Sequence, residues 1–119
     1  MNNLILEKTI KVLQDKLAKE INIIDFQKEN PFTDYFVICE TGSQRQIDAV
    51  LSGFNELRKK EEIEIRDIDG KASSGWVAID LYDVVVHVFD KETRNHYEIV
   101  KLFYKYPQKM VKEDVSALS

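Results

Sequence analysis

Residues 75–90, GWVAIDLYDVVVHVFD, constrain the fold of this chain more than any other stretch. Two runs rich in β-branched and aromatic residues stand on either side of a short polar break. This pattern is typical of two adjacent antiparallel strands joined by a tight hairpin. Asp80, Asp83 and His87 add polar groups to the pair, beside the single tryptophan, Trp76. The stretch therefore predicts a central strand pair with one surface that another molecule recognises.

The length of 119 residues is enough for one domain that folds without a disulfide or a metal. Cys39 is the only cysteine, and its place in the apolar run YFVIC predicts a small buried side chain in a reducing compartment. Residues 1–7 lack the pattern of a signal peptide, and no segment approaches the ~20 apolar residues of a membrane span. We therefore expect a cytoplasmic protein that makes no membrane contact.

The formal net charge is −4, because acidic residues outnumber basic ones. A protein whose affinity rests on phosphate contacts carries a basic face, because its binding to nucleic acid scales with the counterions released. Direct nucleic-acid binding is therefore disfavoured. The same sign of charge favours a basic protein as the partner.

Apolar periodicity predicts alternating helices and strands along the chain. Helices are expected over residues 3–20, after Ser43, and after Asp90 as an N-cap. Strand patterns cover residues 21–26, 35–39 and 63–68, in addition to the hairpin pair. This order predicts an α/β fold, a mixed sheet of about five strands with packed helices. Residues 1–107 are predicted to form this single domain, and residues 108–119 a polar C-terminal tail.

Alternation along the hairpin strands separates an aliphatic face from a mixed one. The aliphatic face, which we expect under the helices, consists of Val77, Ile79, Leu81, Val84, Val86 and Val88. The other face carries Trp76, Asp80, Val85, His87 and Phe89. Aromatic anchors among a few polar groups suit a protein-binding surface. The alternative is that a helix covers this face and that His87 hydrogen-bonds to Asp80.

Five blocks of the sequence resemble the ribosomal silencing factors, also called Iojap-like proteins. They are TDYFVI at 33–38, SQRQ at 43–46, Gly70, Trp76-Val77 with Asp80, and DVVVHVF at 83–89. The resemblance implies a core similar to that of nucleotidyltransferases. It also implies binding to the large ribosomal subunit through ribosomal protein L fourteen, near the intersubunit face. Such binding blocks joining of the small subunit when nutrients are scarce, and it needs neither a chemical step nor a cofactor.

The resemblance also implies a contact region and a homodimer. Carried over residue by residue, the contact region comprises Lys71, Trp76, Asp80, Leu81, Tyr82 and Asp83, with His87 adjoining. Tyr82 departs from the family pattern, which usually has glycine before the hairpin aspartate. If the turn requires a positive φ, tyrosine is strained there. Either the hairpin is then remodelled or the tyrosine joins the contact surface.

Two other classes of function stay open at the level of sequence. Gly42-Ser43 and the pair Asp67 and Asp69 resemble parts of a nucleotidyltransferase site, in which two aspartates hold Mg²⁺. A full helix and a charged turn intervene here, and both motifs are also common turn chemistry, so we predict no enzyme. His87, His96 and Cys39 lack the spacing of a metal site, and no metal is predicted. A homodimeric adaptor without a ribosomal role is the other alternative.

Overall fold

A single mixed sheet with helices on both faces is the architecture of residues 3–111, the part of the chain that the computed structural model describes. The strands are β1 (Lys19–Asp25), β2 (Tyr35–Thr41), β3 (Asp67–Lys71), β4 (Trp76–Asp80), β5 (Val84–Asp90) and β6 (Gln108–Met110). The helices are α1 (Leu4–Asp15), α2 (Gln44–Lys59), α3 (Lys91–Tyr97) and α4 (Ile99–Leu102). The predicted α/β class is confirmed.

The six strands are ordered β3-β4-β5-β2-β1-β6 across the sheet. All neighbours are antiparallel except β2 and β5, which run parallel and are connected through α2, β3 and β4. The predicted hairpin is confirmed, since Trp76 pairs with Phe89 and Asp80 pairs with Val85. β4 and β5 therefore connect the edge strand β3 to the rest of the sheet.

Helices α1 and α2 cover the aliphatic face of the sheet. Ser43 and Asn3 cap the two helices, because their side chains accept the backbone N–H of Gln46 and of Leu6. Both helices bury one apolar stripe, represented by Leu13 and Phe54, in the core cluster below. All six hairpin residues predicted for this face lie in that cluster. The predicted core face is therefore confirmed.

Three predicted elements differ from the structure. Helix α1 ends at Asp15 because Leu17 adopts φ 63° and the N–H of Ala18 returns to the carbonyl of Leu13, which reverses the chain before β1. The alternating segment 63–68 is mostly loop, since Ile63 is buried in the core and β3 begins only at Asp67. The third helix divides at Glu98, where φ is 44°.

A sixth strand lies in the segment predicted as a tail. β6 pairs antiparallel with β1, and the N–H of Val111 donates to the carbonyl of Ile21 (2.8 Å). The Gln108 side chain accepts from Asn22 (3.1 Å) and donates to two carbonyls at the end of α4. The strand was missed because its composition is polar. Residues 112–119 of the predicted tail lie outside the described residues.

No helix within residues 3–111 is long and apolar enough to cross a membrane.

Truncation after Pro107 tests whether β6 belongs to the folded domain. The variant removes the ladder to β1 and the hydrogen bonds of Gln108. The three side-chain bonds of Gln108 alone, at roughly 1 kcal/mol each, amount to about 3 kcal/mol, so we expect a loss of at least that size in the free energy of unfolding in urea. Truncation after Val111 keeps every contact described for β6 and is the reference. Equal stability of the two truncated chains would contradict the assignment.

Candidate docking surface

The outer face of the sheet, opposite α1 and α2, is covered over only one half. Helix α4 and the residues after it pack on β1, β2 and β5. They contribute Ile99, Val100, Phe103 and Tyr106 to a second core cluster with Phe26 and Phe89. Phe26 is at the centre of this cluster, in edge contact with Phe36, Phe103 and Tyr106 at ring-centroid distances of 4.9, 5.5 and 5.0 Å.

The other half of the outer face, on β3 and β4, has no helix over it among the described residues. Directly paired residues share a face, so Asp67, Asp69 and Lys71 of β3 stand beside Asp80, Ala78 and Trp76 of β4. The three β3 residues are exposed, and the three β4 residues are partly exposed. We define the docking plate as Asp67, Asp69, Lys71, Trp76, Ala78, Asp80 and the partly exposed Val85 of β5.

Trp76 is fixed at the boundary between the covered and the uncovered half. Its ring stacks on Phe89 at 4.8 Å and touches Tyr97 of α3 at 5.0 Å. The indole N–H donates to Nδ1 of His87 (3.2 Å). The side chain is partly buried, so the indole is held rigidly while part of it remains accessible. Rigid, partly exposed aromatic side chains are effective interface anchors, since binding costs them little conformational entropy.

His87 lies beneath Trp76 and is 7% exposed. Burial lowers its pKa to about 4, so the imidazole is neutral near pH 7. Because Nδ1 accepts the indole N–H, the ring proton resides on Nε2. That Nε2–H has no nitrogen or oxygen acceptor among the described residues, and Phe36 packs edge-on at 4.5 Å. His87 therefore supports the indole from below and is not itself available to a partner.

The alternative in which a helix covers this face and His87 hydrogen-bonds to Asp80 is half right. Ala78 stands directly opposite His87, so Trp76 and Asp80 are both its diagonal neighbours. The indole supplies the donor to His87, while the Asp80 carboxylate turns away to Arg66. The covering helix packs with Phe89 in the second core cluster but leaves Asp80 partly exposed.

Asp80 is already paired within the protein. Its Oδ2 accepts a hydrogen bond from Nε of Arg66 (2.9 Å) and forms an ion pair with Nη2 of the same guanidinium (2.9 Å). Its Oδ1 accepts the backbone N–H of Tyr82 (2.9 Å). The charge of Asp80 is therefore largely compensated, and the exposed Asp67 and Asp69 supply most of the negative charge of the docking plate. These two aspartates were not assigned to the contact region, although their alternation with Ile68 could have placed them on an exposed face.

The hairpin turn at the end of β4 carries the remaining predicted contact residues. Tyr82 adopts φ 73°, is 44% exposed and lies with its ring 4.7 Å from the guanidinium carbon of Arg66. Asp83 is also exposed. Leu81, in contrast, is 3% exposed and packs in the core under α1 and α2, so the expected direct contact of Leu81 does not fit the structure. Its alternation onto the aliphatic face already indicated this.

Further carboxylates surround the hairpin end of the sheet. The pKa of the Tyr35 hydroxyl is raised, chiefly by burial and additionally by the negative charges of nearby aspartates. Those aspartates are Asp25, Asp34 and Asp83. The hairpin end is therefore acidic, in continuity with the docking plate.

The residues that resemble a nucleotidyltransferase site are not brought together. The Ser43 side chain caps the N-terminus of α2, which follows β2. Asp67 and Asp69 lie on β3, three strand positions from β2, a separation of about 14 Å. Within residues 3–111 no group of three potential metal-ligating His, Cys, Asp or Glu side chains is found. Burial raises the pKa of the Cys39 thiol to about 12, so that thiol stays protonated.

The family model described as "Ribosomal silencing factor during starvation" matches residues 2–119. The chain belongs to the ribosomal silencing factor family. The ribosomal silencing factor of Halalkalibacterium halodurans is 32% identical over 106 residues, which span 89% of this chain and 91% of that protein. The ribosomal silencing factor of Bacillus subtilis is 34% identical over 93 residues, spanning 78% of this chain and 79% of that protein.

A crystal structure of a Bacillus halodurans protein has the same fold, with a TM-score of 0.78 at 31% identity. It covers 92% of this chain and 100% of the other. The chloroplast Iojap protein of Zea mays is also similar, at 29% identity over 72% of this chain and 37% of that longer protein. The family resemblance seen in the sequence is confirmed, and ribosome silencing is a form of translation regulation.

His87 predicts a specific pH dependence of stability. Its folded-state pKa of about 4 lies below the ordinary 6.5, so the unfolded chain binds a proton first as the pH falls. Protonation of His87 therefore lowers the free energy of unfolding little above about pH 6.5 and increasingly as the pH falls towards 4. Between pH 7 and pH 5 we expect His87 to remove about 2 kcal/mol from the free energy of unfolding. Urea titration at both pH values measures this loss.

The matched variants for this experiment are His87→Phe and His96→Asn. The first replaces the buried imidazole and flattens the pH dependence. The second replaces an exposed imidazole on α3 and serves as the control for the loss of a histidine. A His87→Phe protein with the wild-type pH dependence would show that another group is responsible.

Proposed function

We propose that this protein binds the large ribosomal subunit through ribosomal protein L fourteen and sterically blocks joining of the small subunit. Translation is thereby repressed when nutrients are limiting. Membership of the ribosomal silencing factor family supports the class of function. The observation that carries the docking mode is the uncovered docking plate, where exposed carboxylates surround a rigidly held tryptophan.

The charge of the plate favours a basic protein component of the ribosome over its RNA. Asp67 and Asp69 are exposed, whereas Lys71 is the only basic residue of the plate as defined. Asp83 extends the negative charge to the hairpin. An acidic surface is repelled by phosphates and is attracted to a basic protein, which also raises the rate of encounter.

The mechanism requires affinity and placement but no reaction. Trp76 provides the anchor, and truncation of such a residue often costs ~2 kcal/mol or more of binding free energy. Lys71, Asp80, Tyr82 and Asp83 contribute contacts around it, while His87 and Leu81 act from beneath the surface. We accordingly assign no enzymatic activity and place the protein in the cytoplasm with the ribosomes.

We further propose that the free protein is a homodimer that uses the same plate. Trp76, Ala78 and Val85 form a partly exposed apolar strip there, and a second copy would remove it from water. Dimerisation and docking then compete for one surface. An adaptor that dimerises without any ribosomal role is the alternative, and binding to purified large subunits distinguishes it.

A charge reversal on the plate tests the docking mode. Asp69→Lys places a cation on an exposed position opposite Ala78, where it disturbs no described side-chain contact. Because it replaces attraction with repulsion towards a basic partner, we expect about tenfold weaker binding to purified large subunits in co-sedimentation. When small subunits are added, this variant should prevent fewer of them from joining the large subunits than the wild-type protein does.

Asp48→Lys is the matched control for this reversal. Asp48 is exposed on α2, on the opposite side of the sheet, and the variant undergoes the same change in net charge. If both variants lose affinity equally, only overall charge matters and the plate is not the docking site. If the folded wild-type protein does not sediment with large subunits, the ribosomal function itself is wrong.

The proposed dimer predicts a concentration effect. When the protein is raised well above its dimer dissociation constant, as measured by analytical ultracentrifugation, its apparent affinity for the large subunit should fall. The reason is that the dimer must separate before docking. An apparent affinity that stays constant across that concentration range would show that the two interfaces are distinct.

A further inference from the structure

Tyr82 adopts a backbone conformation that favours glycine. Its φ of 73° lies in the left-handed region, where a side chain costs conformational energy. The turn is nevertheless tightly made, because the N–H of Leu81 donates to the carbonyl of Val84 (2.8 Å) and that of Asp83 to Leu81 (3.0 Å). A strained residue persists only where its surroundings determine it. Some neighbouring group must therefore hold Tyr82 in place.

The carbonyl of Asp83 is held by the N–H groups of Asp34 and Tyr35 (3.0 Å each), and Arg66 holds the other side of Tyr82. Its guanidinium binds the Asp80 carboxylate through two nitrogens at 2.9 Å and lies over the Tyr82 ring at 4.7 Å. The same carboxylate accepts the Tyr82 N–H through its other oxygen, so one aspartate connects Arg66 to the strained backbone. The backbone N–H of Arg66 also donates to the carbonyl of Asp80 (2.8 Å), which fixes the position of the arginine.

We call the contacts of Arg66 with Asp80 and Tyr82 the clamp. The clamp also reaches a third segment of the chain. Nη2 of Arg66 donates to the carbonyl of Phe32 (3.2 Å) in the connection between β1 and β2. That connection is itself shaped by Asn30, whose side chain accepts the N–H of Phe32 (2.8 Å). One guanidinium therefore joins the segment before β3, the β1–β2 connection and the β4–β5 hairpin. Planar, multidentate donation of this kind is specific to arginine and is not reproduced by lysine.

We propose that Arg66 is a positioning residue of the docking surface, which holds Tyr82 in the left-handed turn and presents its ring and Asp83 to the partner. The inference rests on the proposed function, since the partner is the same basic protein of the large subunit. Preorganisation of a contact loop increases affinity because no ordering cost is paid on binding. Glycine would adopt this turn without strain. In a chain with tyrosine at this position, the contacts of Arg66 keep the residue in the same conformation.

Charge and clamp predict opposite signs for the loss of Arg66. Arg66→Ala makes the protein more acidic and frees Asp80, so electrostatics alone would strengthen binding to a basic partner. The clamp predicts that binding to large subunits becomes about tenfold weaker, because the hairpin is no longer preorganised. Arg66→Lys should resemble Arg66→Ala, since lysine keeps the charge but cannot contact Asp80 and Phe32 at once through separate nitrogens of a planar group.

Glycine at position 82 supplies the decisive comparison. Tyr82→Gly adopts the turn without strain, so adding Arg66→Ala to it should weaken binding by less than about threefold.

Arg58→Ala is the matched control, because Arg58 is exposed and lines the same surface groove as Tyr82 but makes no described ion pair. It should leave binding unchanged or slightly stronger.

Hydrogen exchange in the free protein tests the clamp without the ribosome. The Tyr82 amide should exchange faster in Arg66→Ala than in Arg58→Ala, while amides of the core strands exchange at the same rate in both.

Unchanged exchange at Tyr82, or an equal loss of binding from Arg66→Ala in the tyrosine and glycine backgrounds, overturns the inference. If wild type binds, Asp69→Lys binds about tenfold more weakly, and Arg66→Ala binds like Arg58→Ala, then only the clamp is wrong. A folded wild type that fails to bind overturns both.

Discussion

The antiparallel pairing of β4 with β5 determines both what this protein buries and what it exposes. Because Trp76 pairs with Phe89 and Asp80 with Val85, the residues between them alternate between the two sides of the sheet. The aliphatic set goes under α1 and α2 and forms the main core. The tryptophan and the aspartate go to the other side. A shift of one residue in this register would bury Asp80 and expose Ile79, so core and docking plate depend on the same pairing.

The uneven cover of the outer face makes a docking plate possible. Helix α4 and the aromatic residues after it seal β1, β2 and β5, but β3 and β4 extend beyond them. Trp76 stands where the cover ends, with one side against Phe89 and Tyr97. The same aromatic cluster that stabilises the fold therefore also holds the anchor of the proposed interface. A wider cover would have left no plate, and a narrower one would have left the indole mobile.

Periodicity and composition were sufficient for the parts of the structure that obey strong local rules. The hairpin, the amphipathic α2 and the aliphatic core face have regular apolar spacing and were predicted correctly. Contacts distant in sequence were not predictable. β6 is polar and is a strand only because β1 offers it an unpaired edge. Arg66 gains its role from Asp80 and Phe32, which lie 14 and 34 residues away.

The candidate site shows the same division. Trp76, Lys71 and Tyr82 were predicted as contact residues from the resemblance, and the structure leaves them exposed or partly exposed. Alternation alone shows why Leu81 is buried instead. The pairing of Asp80 with Arg66 and of His87 with Trp76 depends on which diagonal neighbour each side chain selects, and a pattern of residue types does not specify that. The sequence marked position 82 as unusual, but the contacts of Arg66 with Asp80 and the Tyr82 ring are seen only in the structure.

The order of strands also separates the two ends of the sheet by a useful distance. β3 and β6 are the outermost strands, five inter-strand spacings or about 24 Å apart. Lys109 lies exposed on β6, on the margin remote from Asp67 and Asp69. A fluorophore or tether attached to that lysine would leave the acidic margin unobstructed, so the protein can be immobilised or tracked from one side while the other stays free to engage.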